Sequence, residues 1–132
     1  MQGPYEYVTK GIRVSVRPEV IQERTSPHSS VFGFAYYVTI INEREDDVQL
    51  LNRHWRVFSG GRQIADVKGE GVIGEQPELA AGERFKYASW TVINDPMGAM
   101  EGAYTFRDHT GSFFDVAVPR FDMVYVDESR MH

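Results

Sequence analysis

No cysteine occurs in the 132 residues of this chain, and that absence removes several kinds of protein at once. Disulfide frameworks, thiol nucleophiles and cysteine-ligated zinc all need the residue. A disulfide-free domain suits a reducing compartment, so a cytoplasmic location is the expectation. Positive charge is also short, with 14 Lys and Arg against 19 Asp and Glu and a net charge of −5. No run of cations offsets this locally, so nucleic acid is not an expected partner. Long apolar runs are missing too. The opening MQGPYEYVTKGIRV has no signal-like apolar segment and nothing approaches a membrane span, so no membrane insertion is expected. Helical spacing of hydrophobic residues is convincing nowhere.

What the chain does have is aromatic residues and alternation. Seven Tyr, eight Phe and two Trp favour pleated, half-buried surfaces. GIRVSVRPEVIQER sets Ile12, Val14 and Val16 against Arg13, Ser15 and Arg17, and Pro18 suggests a bulge or an edge strand. In VFGFAYYVTIINE, Phe32, Phe34, Tyr36, Val38 and Ile40 share one face. VQLLNRHWRVFSG puts Leu51, Trp55 and Val57 on one side, and Gly60-Gly61 then predicts a two-residue hairpin into RQIADVK. ERFKYASWTV opposes Phe85, Tyr87 and Ser89 to Arg84, Lys86 and Ala88. AMEGAYTFRD groups Met100, Tyr104 and Phe106, and SFFDVAVP closes the series. Seven or eight short strands punctuated by turns predict an all-β antiparallel sandwich in a single domain spanning 1–132.

Between two of these strands lies KGEGVIGEQPELAAGERFKY, where Gly69, Gly71 and Gly74 match G-x-G-x-x-G. In a dinucleotide fold this spacing holds a pyrophosphate, and Asp95 follows Gly74 at about the 20 residues expected of a ribose-binding acid. Three objections outweigh the match. The phosphate would need a helix N-terminus, yet Pro77 sits in the middle of the only segment that could supply the helix. Glu70, Glu75 and Glu78 lie in the tract with no cation from Gly69 to Gly82. A carboxylate ~6 Å from a phosphate costs roughly 0.7 kcal/mol in water and ~3 kcal/mol at an effective dielectric constant near 20. Nothing elsewhere supplies crossover helices. The tract therefore reads as a wide loop between two sheets, its glycines at positive φ, Pro77 opening the next strand, and Val72 and Ile73 capping the core.

Catalytic and metal-binding patterns are sparse. His28, His54, His109 and His132 show no ligand spacing, and His54 points away from the Trp55 face. Glu43, Glu45, Asp46 and Asp47 crowd one turn, but without the spaced Asp/Asn/Gly pattern of a calcium loop. No serine carries the flanking glycines of a hydrolase elbow. No enzyme, cofactor or metal site is expected. Trp90 falls on the side of Arg84 and Lys86, hence outward, where a tryptophan beside cations suits a protein interface; a strand end returning it to the core is the alternative. Glu70, Val72, Ile73, Glu75, Gln76 and Pro77 make the other candidate contact patch, with core capping as its alternative.

The segments VQLLNRHWRV, GEGVIGEQPELAAGERFKYAS and PMGAMEGAYTF closely resemble the ApaG (CorD) family of bacterial proteins, and the resemblance, running in order from about Ile12 to Met123, implies a domain core at about 12–123. The family pattern, near G-E-G-V-V-G-x-Q-P-x-L-x-P-G-E-x-F-x-Y-x-S, is met from Gly69 to Ser89. Ala81 replaces its usual proline, and Trp90 stands where a small residue is normal. The resemblance implies a fibronectin type III-like fold and an association with magnesium and cobalt homeostasis, with no assigned molecular activity. Eukaryotic relatives carry the domain within an F-box protein and a polymerase-delta-interacting protein, which implies a module that binds other proteins. The expectation is a non-enzymatic binding module whose partner is another protein, and a weak homodimer is compatible with it. A small-ligand binder, for pyrophosphate at the glycine loop or a divalent cation at the acidic turn, is the other reading.

Overall fold

The computed structural model describes residues 4–127 and forms nine strands and two 3-10 turns. In chain order the strands are β1 (Tyr5–Thr9), β2 (Ile12–Val20), β3 (Phe32–Asn42), β4 (Val48–Ser59), β5 (Arg62–Glu70), β6 (Glu78–Leu79), β7 (Arg84–Ile93), β8 (Met97–Asp108) and β9 (Phe113–Val124). The turns Gln22–Arg24 and Pro27–Ser29 join β2 to β3. One sheet has the order β1-β2-β3-β7 and the other β5-β4-β8-β9, with β6 beside the start of β4. All pairings are antiparallel, and the result is the all-β, fibronectin type III-like sandwich anticipated above.

Alternation explains the core. Ile12, Val14 and Val16 of β2 and Phe34, Val38 and Ile40 of β3 turn the same way, because register sets Val14 opposite Ile40 and Val16 opposite Val38. Leu50, Trp55, Tyr104, Phe106, Val116 and Phe121 meet them from the second sheet. Trp55 stands edge-on to Tyr104 and Phe121, with ring centroids 6.1 Å away in both cases. Burying a side chain of the size of Phe34 contributes roughly 2–3 kcal/mol, so these residues dominate the stability of the sandwich.

The strands differ from the pattern expected of them in three respects. Leu51 does not share the face of Trp55 and Val57 to the same depth: the buried leucine is Leu50, and Leu51 is only half-buried. Register jumps there, with Leu50 opposite Phe106 but Asn52 opposite Thr105, so Leu51 is the extra residue of a bulge that reverses the parity of β4. The last strand does not end at Pro119. It continues to Val124 through a second shift, which returns Phe121 and Met123 to the core. Finally, Tyr5–Thr9 forms an additional strand, so β1 rather than β2 is the sheet edge. Pro18 lies on the part of β2 that β1 leaves uncovered, and no bulge interrupts the ladder with β3 there.

Candidate functional site

The glycine tract folds without a helix; between Val72 and Ala81 the only regular element is β6. Its three glycines serve three local purposes. Gly69 lies inside β5, opposite Arg53, and not at a positive φ. A Cβ at that position would come within 2.9 Å of the Arg53 guanidinium, so the missing side chain is what makes room for the arginine. Gly71 (φ 63°) brings the chain against the Glu75 carbonyl, where no Cβ fits. Val72 and Glu75 then exchange backbone hydrogen bonds of 2.8 and 2.9 Å around Ile73 (φ 45°) and Gly74 (φ 79°). Two consecutive left-handed residues make the tight turn in which Asn-Gly is usual. A β-branched residue in the first of these positions is strained by about 1–3 kcal/mol.

This geometry decides the candidate contact patch residue by residue. Val72 is 1% exposed and belongs to the core, so it caps the sandwich and presents no surface. Ile73 was expected to tuck in beside it but stands 54% exposed, because the turn reverses the chain between the two. Gln76 donates to the Leu51 carbonyl at 2.9 Å, and the Gln76 carbonyl accepts from the Gln49 amide at 3.0 Å. The Pro77 carbonyl accepts from the Leu50 N–H. These residues pin the loop to β4, while Glu70 and Glu75 project outward. Asp95 is no ribose ligand: its carboxylate accepts from Ser59 Oγ at 2.6 Å, beside the β4–β5 hairpin.

Under the loop is a cavity of about 220 Å³ lined by Tyr36, Arg53, Trp55, Ile73, Tyr87 and Ser89. Arg53 has the parity of Trp55 and therefore turns towards the sandwich interior. Its Nη1 donates to the carbonyls of Glu70 (2.9 Å) and Gly71 (3.0 Å), tying the loop down. Deeper in, the hydroxyls of Tyr87 and Tyr104 bond to one another at 2.5 Å. Burial pushes Tyr36, Tyr87 and Tyr104 above the ordinary phenol range, so all three are neutral at physiological pH. Arg53 was not singled out in the sequence. The available signal was an arginine on the inward parity of a strand with glycine across from it.

On the opposite face of β7 stands Trp90, 50% exposed as its strand parity required. It lies across from Ala35, and the Arg24 guanidinium covers it at 3.9 Å from the ring centroid. Beside it, Arg17 lies over Tyr37 at 4.5 Å and pairs with Glu19 at 3.2 Å. Arg24, Arg84 and Lys86 form no ion pair among the described residues. This face is therefore more cationic than a net charge of −5 would suggest.

The comparisons with known proteins agree with this architecture. The model of the ApaG domain matches residues 22–108, which takes in the whole glycine tract and β7. Protein ApaG of Methylobacterium sp. (strain 4-46) is 43% identical over 119 residues, covering 90% of this chain and 92% of that protein. The chain belongs to the ApaG domain family. Protein ApaG of Mesorhizobium japonicum is 39% identical over the same shares of the two chains. Among solved structures, the putative ApaA protein from Bordetella pertussis superposes with a TM-score of 0.83 at 34% identity, covering 91% of this chain and 94% of that one.

Elsewhere in the ApaG domain, the charged clusters are occupied with one another. In the acidic turn, Arg44 grips Asp46 with two bonds of 2.7 and 2.9 Å, and His109 reaches the same carboxylate at 2.9 Å. Arg44 and then His109 hold the Asp46 carboxyl well below the usual range. Glu43 accepts from Arg13 at 2.8 Å. Asn42, fully buried, bonds the Asp46 and Leu79 carbonyls through Nδ2 and the Arg44 N–H through Oδ1. Among the described residues no three His, Asp or Glu side chains are placed to hold a metal ion. His54 meets Asp66 at 2.7 Å on the outer surface of its sheet, His28 lies in a 3-10 turn, and His132 falls outside the described residues.

Proposed function

We propose that this ApaG domain is a non-enzymatic module that binds another protein through β7 and the adjoining turn, with Trp90 and Ile73 as apolar contacts. The observation that carries the reading is Trp90, half-exposed on a sheet face where Arg24, Arg84 and Lys86 have no carboxylate partner among the described residues. Tryptophan and arginine are the residues that most often anchor interfaces. Ile73 adds an exposed apolar side chain held in a strained conformation, a combination that stability alone does not favour. The cytoplasm and a role in divalent-cation homeostasis are part of the proposal, the latter on the family resemblance alone. Affinity capture from lysate with the parent chain, Trp90→Ala and Glu70→Lys tests it. A partner retained by the parent and by Glu70→Lys but lost with Trp90→Ala supports the module, and no specific partner for any form contradicts it.

One observation favours a second reading, a small-anion binder. Arg53 lines the cavity under the glycine loop without a carboxylate partner among the described residues, beside the hydroxyls of Tyr36 and Ser89. Calorimetric titration with pyrophosphate and ATP addresses it. A micromolar site abolished by Arg53→Met would promote this reading over the first.

A further inference from the structure

We propose that the partner segment recognised by this domain is an extended acidic peptide, which adds to the sandwich as a strand along the open edge of β7. The inference rests on the protein-binding reading above and specifies its geometry and chemistry.

β7 has the properties of a template. It is the last strand of its sheet and, among the described residues, pairs only with β3. The ladder between them runs from Arg84 to Ile93 without a register shift, so the edge is straight and unbulged. No residue of β7 makes a backbone hydrogen bond outside that ladder among the described residues. An edge strand presents a row of N–H and C=O groups at the strand repeat, and an extended peptide satisfies them whatever its sequence. Ten residues of edge accommodate a peptide of about six, at roughly 3.3 Å per residue.

Chemistry along the edge selects the peptide. Arg84 and Lys86 point to the outer face and pair with no carboxylate among the described residues, and Arg24 lies on Trp90 in the same state. The carboxylates of that face are already engaged: Glu19 with Arg17, and Glu6 and Glu43 with Arg13. A peptide strand beside β7 would place alternate side chains next to Arg84, Lys86 and Trp90, where acidic residues find unpaired cations and an apolar residue finds an indole. Its other side chains would face the turn, where exposed Ile73 shares a cavity with Tyr87 and Ser89. Antiparallel pairing of β7 with β7 of a second copy would instead set the cationic end of each strand beside the Trp90 end of the other and bring no carboxylate to Arg84 or Lys86, because the outward residues of β7 include none. Charge therefore argues for a foreign acidic strand over self-association.

The test uses the full chain and three octapeptides: alternating Glu and Val, alternating Lys and Val, and the Glu/Val sequence with a central proline. Amide hydrogen exchange and the Trp90 indole N–H resonance report where each binds. The Glu/Val peptide should slow exchange at alternate residues of β7, leave the β5 edge unchanged and weaken as salt rises. The Lys/Val and proline peptides, and the Glu/Val peptide on Lys86→Glu, should each bind about tenfold or more weakly. Equal binding of the Glu/Val and Lys/Val peptides, protection at another edge, or no binding of the Glu/Val peptide at millimolar concentration would overturn strand addition. If Trp90-dependent capture survives such a result, the binding module stands and only its peptide mode falls.

Discussion

The two sheets of this sandwich use the same alternation, yet the most exposed ring of one and the rings of the other are covered differently. On the second sheet, Arg120 lies over Phe58 at 4.5 Å and also bonds Glu101 at 2.8 Å, while Arg56 holds the other oxygen of that carboxylate at 3.1 Å. His54 meets Asp66, Thr105 meets Asp115 and Arg107 meets Gln49 across neighbouring strands. On the first sheet, Arg24 covers Trp90 in the same manner, but among the described residues no carboxylate completes the arrangement or pairs with Arg84 and Lys86 along the edge. A guanidinium over an aromatic ring is thus found on both faces; an acid closes the Arg120–Phe58 and Arg17–Tyr37 pairs, whereas the Arg24–Trp90 pair is left open among the described residues. The proposed contact falls where charges are unsatisfied, because an unpaired cation and an exposed indole gain most from a partner.

The largest expected effect comes from removing the indole. Trp90→Ala should weaken partner capture by about 2 kcal/mol or more, near 30-fold. Folding stability should change by no more than about 0.5 kcal/mol, since the residue lies outside the core. Arg120→Ala on the closed face should leave capture intact, and a loss there would break the comparison. Next is Ile73→Asn, which places a residue suited to the left-handed conformation at the turn. It should raise stability by about 1 kcal/mol in denaturant unfolding while weakening capture. A destabilised variant would mean that the isoleucine serves packing, not contact.

The smallest effect concerns the closed face itself. Glu101→Gln should cost at most about 1 kcal/mol and leave capture unchanged. Its signature lies in pH. Arg120 first, and then Arg56, hold the Glu101 carboxyl below its ordinary value against an opposing contribution from burial. A lowered folded-state pKa stabilises above the ordinary carboxylate range and is lost as pH falls through the folded value. Acid unfolding below about pH 4 should therefore be shallower in Glu101→Gln than in the parent chain. An identical slope would show that the closed face contributes nothing through this pair.

Much of the sandwich was legible because burial enforces period 2. The outward placement of Trp90 followed from Tyr87 and Phe85, and the rejection of a phosphate-binding helix followed from Pro77 and the local carboxylates. What escaped was set by geometry between strands. The bulge at Leu51 has no glycine or proline to announce it, so the reversal of parity appears only in the pairing with β8. The continuation past Pro119 depends on a similar shift. Tyr5 and Tyr7 alternate with Glu6 as an edge strand should, but five residues before Lys10-Gly11 carried too little pattern. Ile73 was misplaced because a hydrophobic pair invites burial of both members, whereas a two-residue reversal buries only Val72. Arg53 was passed over because inward arginines are rare, and its room depends on a glycine in a different strand.

Site-specific photocrosslinking in cells tests the central contrast most directly, with the reactive side chain placed at Trp90 on the open face and, separately, at Arg120 on the closed one. A discrete crosslinked protein from the first position and none from the second is the result expected here. The reverse pattern, or the same product from both, would contradict the assignment of binding to β7.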